Sequence, residues 1–323
     1  MMWLQLRLAL LVGLMFSILY GILALIGYAI GARSYVFYIY LLALAFLLII
    51  IQYLSGPKLV EMSMRVRYVS ERENPKLHRM VEELSREAGI PKPRVGISEL
   101  KIPNAFAFGR SKRDARVCVT KGILELLDDD ELKAVLGHEI SHIKHRDVAI
   151  ITLLSVIPMI CYMLYISFLW GGMFSRDRRE AGIEMAVGII ALLMYFVTSL
   201  LVMYGSRIRE YYADLGSVRL GNHPSKLATA LYKLVYGNAK ADEHTIRQAA
   251  GLKAFFLNDV SRARDEIREL RQIDLDMSGT IDEDELKVLK EKRIKLSLED
   301  RIMELLSSHP NMLKRIKHLA SLT

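Results

Sequence analysis

Five consecutive residues of the 323-residue chain, His138-Glu139-Ile140-Ser141-His142, follow the pattern H-E-x-x-H. On a helix, residues four apart share one face, so both imidazoles reach a single ion. Glu139 stands one position off that line, beside any water the ion holds. Zinc lowers the pKa of such a water to near 7, and a carboxylate alongside takes its proton. The pattern predicts one zinc per chain, with Glu139 as general base and then acid. The plain alternative is two solvated histidines on a surface helix.

Catalytic zinc needs a third protein ligand. His145 lies seven residues beyond His138, about 10 Å along a helix axis, too far to share one ion with both. The metzincin extension requires Gly at 145 and His at 148; the chain has His145 and Val148, so that arrangement is excluded. The ligand must come from another helix, and Glu210, in Arg209-Glu210-Tyr211-Tyr212-Ala213-Asp214, is the predicted source. His142 precedes one uncharged run by six residues, roughly 9 Å of helix, and Glu210 follows the next run by four, roughly 6 Å. If those runs are antiparallel neighbours, the two side chains emerge at similar height. Asp214, one turn further on, is placed to orient a ligating imidazole. The competing reading pairs Glu210 with Arg207 or Arg209.

A second constellation lies at 274–285. Asp274, Asp276 and Ser278 take positions 1, 3 and 5 of a twelve-residue EF-hand loop. Gly279 takes position 6, Thr280 offers its carbonyl at 7, Asp282 stands at 9 and Glu285 at 12. Calcium needs many hard oxygens around a sharp turn, which this spacing supplies. An acidic turn between helices is the alternative reading.

These residues sit in a chain that is 52% hydrophobic with a mean hydropathy of +0.23, yet 25% charged and +8 in net charge. That combination points to several membrane spans plus a water-facing part. The basic balance suits anionic lipid head groups, and no nucleic-acid motif is present, so nucleic acid is not an expected partner. Cys118 and Cys161 are too few for a disulfide framework. Four uncharged runs, 8–32, 34–57, 148–175 and 185–206, each suit a hydrophobic helix, with the last two also compatible with a lipid-facing pair. Lys58, Arg65 and Arg67 favour a cytoplasmic main domain, whereas Arg176, Arg178 and Arg179 in the last connection oppose it. Between the second and third runs, periodicity predicts a helix over 74–89. Strands are predicted at 94–98, 105–108 and 116–120, then a helix near Glu131 capped by Asp128, Asp129 and Asp130. Beyond the fourth run the chain reads helical almost to its end.

The H-E-x-x-H motif, the hydrophobic pair after it and the Glu210-x-x-x-Asp214 segment resemble HtpX-type membrane metalloproteases, relatives of the CAAX prenyl proteases. Asn104-Ala105-Phe106-Ala107-Phe108-Gly109 is similar to that family's Asn-Ala-x-Ala-x-Gly segment. The resemblance implies an edge strand that pairs with extended substrate, with Asn104, Ala105, Phe106 and Ala107 as substrate-binding residues. His309-Pro310 followed by Arg315 is similar to its C-terminal segment. There the resemblance implies that His309 assists the oxyanion with Arg315 near the substrate; a histidine capping a helix begun by Pro310 is the alternative. The EF-hand-like loop departs from the family's pattern.

The expected fold is a mainly α membrane protein: four hydrophobic helices and a cytoplasmic α+β zincin-like catalytic domain with a small sheet. Residues 1–57 form a first transmembrane hairpin, 58–147 the first catalytic part, 148–206 a second hairpin and 207–323 the helical second part. The expected function is zinc-dependent endopeptidase action on unfolded or membrane proteins near the surface of the cell membrane, in protein quality control, tuned by calcium. A CAAX-type prenyl-protein protease and a non-enzymatic, calcium-responsive scaffold with a structural metal are the rivals.

Overall fold

The computed structural model describes residues 14, 35–174, 178–239, 266–267, 270, 273–292 and 297–323. The expected first span at 8–32, apart from Leu14, and Arg176 lie outside these residues. The chain divides into two compact units, residues 1–54 with 149–208 and residues 55–148 with 209–323.

In the first unit lie the apolar stretches of three long helices: α1 (Tyr35–Ser63), α5 (Asp147–Phe174) and α6 (Arg178–Arg219). Two stretches among the described residues are long and apolar enough to cross a membrane, Leu154–Met173 and Ala181–Arg219. Leu154, Ile157, Cys161, Leu164 and Phe168 of α5 interlock with Val187 and Ala191 of α6. Ile189, Leu193 and Phe196 of α6 face outward. That distribution, apolar inside and out, is what a lipid solvent selects.

The second unit is built on a four-stranded sheet of β1 (Val66–Tyr68), β2 (Arg94–Ser98), β3 (Ala105–Gly109) and β4 (Ala115–Thr120). Its order is β1-β2-β4-β3, so β3 is an edge strand. The β2–β4 pair is parallel and the outer two pairs are antiparallel. Strand β1 was absent from the sequence expectation, because three residues give no readable alternation. Side-chain alternation sorts the sheet into two faces. Val95, Ile97, Val117 and Val119 join the main core, while Phe106, Phe108 and Cys118 pack with Val60 and Met64 at the end of α1.

The main core is shared by α2 (Pro75–Ala88), α3 (Lys121–Leu126), α4 (Asp129–His145), α7 (Pro224–Ala239), α8 (Glu283–Glu291) and α10 (Met312–Ala320); α9 spans Leu298–Leu305. The caps explain the boundaries. Asn74 accepts the Leu77 N–H, and Gly89 ends α2 in the left-handed conformation. At α4, Asp128 and Glu131 form a reciprocal capping box. Glu131 is buried and salt-bridged to Lys233 at 2.6 Å, tying α4 to α7.

Helix α4 also approaches the C-terminal part of α6 closely. A Cβ on Gly216 would lie 1.9 Å from Ser141 Oγ, and one on Gly137 would lie 2.8 Å from Ser217 Oγ. The Ser217 hydroxyl donates to the Ala134 carbonyl at 2.6 Å. Small residues let these helix surfaces meet where H-E-x-x-H stands opposite Glu210.

Candidate metal centre

His138, His142 and Glu210 come together, their ligating atoms all within 4.8 Å of one another. The His138 and His142 Nε2 atoms are 3.0 Å apart. His138 Nε2 lies 3.5 Å from Glu210 Oε2, and His142 Nε2 lies 3.6 Å from Glu210 Oε1. A tetrahedral ion with bonds of 2.0–2.1 Å has ligand-to-ligand edges of about 3.3 Å. Two imidazoles and a carboxylate on a triangle of that size fit zinc in both donor type and spacing.

Each imidazole turns its other nitrogen to a carboxylate. His138 Nδ1 is 2.9 Å from Asp214 Oδ1, and His142 Nδ1 is 2.6 Å from Asp147 Oδ2. Asp214 is the orienting carboxylate the sequence suggested. Asp147 is not; it reads in sequence as the flank of an apolar run. It reaches His142 because Arg146 takes the left-handed conformation at φ 58°, ending α4 one residue before α5 begins. Arg209 pairs in turn with Asp147.

Arg315 was expected beside substrate. Instead it is fully buried, with Nε and Nη2 on Asp214 at 3.0 and 2.6 Å and Nη1 3.0 Å from Glu210 Oε2. The guanidinium neutralises two buried carboxylates at once, and their charges raise its own pKa against the opposing effect of burial. His309 is mostly buried, its Nδ1 3.7 Å from Glu210 Oε1.

The charges set the protons. Burial pushes His138 down, but its hydrogen bonds to Asp214 and Glu210 win and raise its pKa to about 9. Burial and the neighbouring His138 charge push His142 down. Burial raises Glu139, opposed by the two histidines and by a hydrogen bond from the Ala107 backbone. The last contact joins β3 to the catalytic helix. The side chains of Asn104, Ala105 and Phe106 are buried, and the Asn104 backbone is held by Thr120. β3 ends the sheet order, so its outer backbone forms a sheet edge.

His145 is apart from this group, its Nδ1 2.9 Å from the Ser141 carbonyl. So is the second constellation. Asp274, Asp276 and Glu285 bring carboxylate oxygens within 4.8 Å of one another. Asp282 stands outside that trio and caps α8, accepting the Glu285 N–H at 2.8 Å. Ser278 Oγ and Thr280 Oγ1 contact each other at 2.8 Å. Two residues of α7 hold the loop. Tyr232 donates to Asp274 at 2.7 Å, and Thr229 Oγ1 both accepts the Ile281 N–H and donates to its carbonyl. No sequence signal singles out Thr229 or Tyr232, since both lie on a helix some 50 residues earlier.

A family model described as peptidase family M48 matches residues 71–323. The chain is 56% identical over 232 residues to a protein named Protease HtpX homolog of Methanothermobacter thermautotrophicus, covering 72% of this chain and 86% of the relative. A protein of the same name from Moorella thermoacetica is 41% identical, covering 64% of this chain and 70% of its own. One from Pyrococcus furiosus is 40% identical, over 69% and 77%. Among solved structures, S. mikatae Ste24p shares the fold with a TM-score of 0.53 at 16% identity, over 99% of this chain and 67% of that one.

Proposed function

The chain belongs to peptidase family M48, and within that family we propose that it is a zinc-dependent endopeptidase of the membrane, cleaving unfolded or membrane proteins near the bilayer surface. The observation that carries the reading is the His138–His142–Glu210 triangle, whose edges match a tetrahedral ion. A zinc ion there supplies Lewis-acid polarisation of the scissile carbonyl and a water acidic enough to lose a proton near neutral pH. The rest of the work falls to side chains. Glu139, its proton affinity raised by burial, takes the water's proton and passes it to the departing amine. Asp214 and Asp147 fix the tautomer and tilt of His138 and His142. Arg315 keeps Glu210 and Asp214 ionised. His309, whose Nδ1 is 3.7 Å from Glu210 Oε1, is the proposed donor to the developing oxyanion. The edge of β3 pairs with extended substrate, its Ala107 amide already aligned on Glu139.

The four hydrophobic runs, the cell-membrane location and the cytoplasmic placing of the catalytic part belong to the same proposal. They rest on run lengths and on Lys58, Arg65 and Arg67. Calcium in the 274–285 loop is supported by the convergence of Asp274, Asp276 and Glu285. It would act through Thr229 and Tyr232 on α7, which shares its core with α4.

The deciding test compares casein cleavage by wild type and Glu139→Gln, both zinc-loaded in detergent. Loss of turnover with zinc retained is expected; equal turnover would remove the protease mechanism and favour a scaffold. A farnesylated CaaX peptide in the same assay measures the prenyl-protease rival. For the loop, titration calorimetry with calcium is expected to show binding, and a flat titration with unchanged proteolysis would discard calcium control.

A further inference from the structure

Asp147 stands between two partners and presents a different oxygen to each. Its Oδ2 faces His142 Nδ1 at 2.6 Å, and its Oδ1 pairs with Arg209 Nη2. The same Nη2 donates to the His145 carbonyl at 3.4 Å. Arg209 therefore bonds both sides of a helix break, since His145 is the last residue of α4 and Asp147 the first of α5. Between them Arg146 sits at φ 58°, a conformation costly to a residue with a Cβ. The Arg209 side chain is 7% exposed, and its guanidinium lies over the Tyr212 ring, 5.3 Å from the ring centre. Tyr212, about one turn further along α6, thus directs the guanidinium at the break.

An aspartate that opens a helix has another place to go. The free N–H groups of its own first turn attract the carboxylate, and a side chain turned that way leaves His142. Arg209 on Oδ1 holds the carboxylate out of that rotamer. We propose that Arg209 is a positioning residue of the metal centre: it keeps Asp147 on His142, and so fixes which ring nitrogen of His142 meets the ion. His142 then has the support that His138 has, whose partner Asp214 is held by Arg315. The two arginines differ in origin. Arg315 comes from α10, whereas Arg209 is the chain neighbour of Glu210, so one peptide of α6 supplies both the third ligand and the clamp on the second. Neighbouring side chains on a helix point about 100° apart, which lets Glu210 face the histidines while Arg209 faces the end of α4. The inference rests on the zinc reading and adds to it a residue that touches neither the ion nor an imidazole.

The test uses the full chain in detergent, loaded with zinc or with cobalt(II) as its spectroscopic substitute. Arg209→Met, Arg209→Gln and Arg209→Lys are each made alone and together with Asp147→Asn. Zinc affinity is read by competition with a chromogenic chelator. Arg209→Met and Arg209→Gln are expected to weaken zinc about tenfold, the lower end for partners outside the ligand set, and either one suffices if the other does not fold. Their cobalt d–d absorption is expected to shift as His142 tilts. Both contacts of Arg209 come from one nitrogen, so an ammonium can replace them, and Arg209→Lys is expected to stay within about threefold of wild type. In the Asp147→Asn background, loss of the guanidinium is expected to cost less than about twofold more, because the two residues act in series. An equal loss in both backgrounds, or a lower melting temperature with zinc affinity and cobalt spectrum unchanged, overturns the inference and leaves the zinc reading intact. Wild type that holds zinc no more tightly than His138→Ala would remove the zinc reading and the inference together.

Discussion

Asp147 Oδ2 lies 2.6 Å from His142 Nδ1, five residues earlier in the chain and across a helix break. A carboxylate there fixes the ring so that Nε2 faces Glu210, and it makes the imidazole a stronger donor to a metal. Asp147→Asn keeps the shape and removes the charge. Zinc affinity, measured by competition with a chromogenic chelator, is expected to fall about 10–100-fold, the range for such outer partners. An unchanged affinity would reduce Asp147 to a partner of Arg209 alone.

Zinc binding is expected to release protons. The metal takes neutral imidazole, whereas His138 without metal holds its second proton up to about 9. Between pH 6 and 9 about one proton leaves per zinc, and the affinity rises about tenfold per pH unit before levelling off. Calorimetry in buffers of different ionisation enthalpy counts that proton. Stability follows the same sign. The folded pKa of His138 is above its unfolded value, so its contribution to the metal-free protein is complete below about pH 6.5 and is lost as pH rises toward 9. The gain in Tm on adding zinc is therefore expected to be larger at pH 9 than at pH 6.

Gly216 and Ser141 set the spacing of α6 against α4. Gly216→Ala places a methyl group 1.9 Å from Ser141 Oγ, so a backbone or a rotamer must move. Overpacking of this kind costs about 1–3 kcal/mol and shifts Glu210 relative to the histidines. Zinc affinity and melting temperature are both expected to drop. Adding Ser141→Gly is expected to restore much of each, the signature of two residues in direct contact.

Arg315 balances two buried acids. Arg315→Met leaves Asp214 and Glu210 without their cation, and breaking a buried pair from one side costs about 3–5 kcal/mol. Chemical unfolding is expected to show that loss. Asp214→Asn in the same chain is expected to recover part of it, because one stranded charge goes with it. Equal stability of the two variants would argue that water, not Arg315, solvates Asp214.

What the sequence discloses and what it hides divide along physical lines. The α2 helix was legible from apolar periodicity over 74–89, and the fold trims it by one residue at each end, where Asn74 and Gly89 are its caps. The strands at β2, β3 and β4 were legible from alternation bounded by Pro and Gly, and their edges moved by one residue at most in the fold. The meeting of His138, His142 and Glu210 followed from helix period and distance along the axis. Asp147 was hidden because a fifth residue on an unbroken helix points away; only the left-handed turn at Arg146, a conformation with no sequence mark in an arginine, swings it back. Arg315 was visible as a residue but not as a buried one, since nothing local tells that its partners lie about 100 residues earlier. Thr229 escaped for the same reason: its partner, Ile281, is distant in sequence.

The Ala107 backbone hydrogen-bonds Glu139, and Ala107 stands in the middle of the edge strand. Strand and carboxylate are in that sense one ruler. An extended peptide paired along β3, as proposed, would be measured from the same amide that meets Glu139. On that proposal, sequence preference along the strand would be secondary, and the site would read the extension of a chain before its side chains.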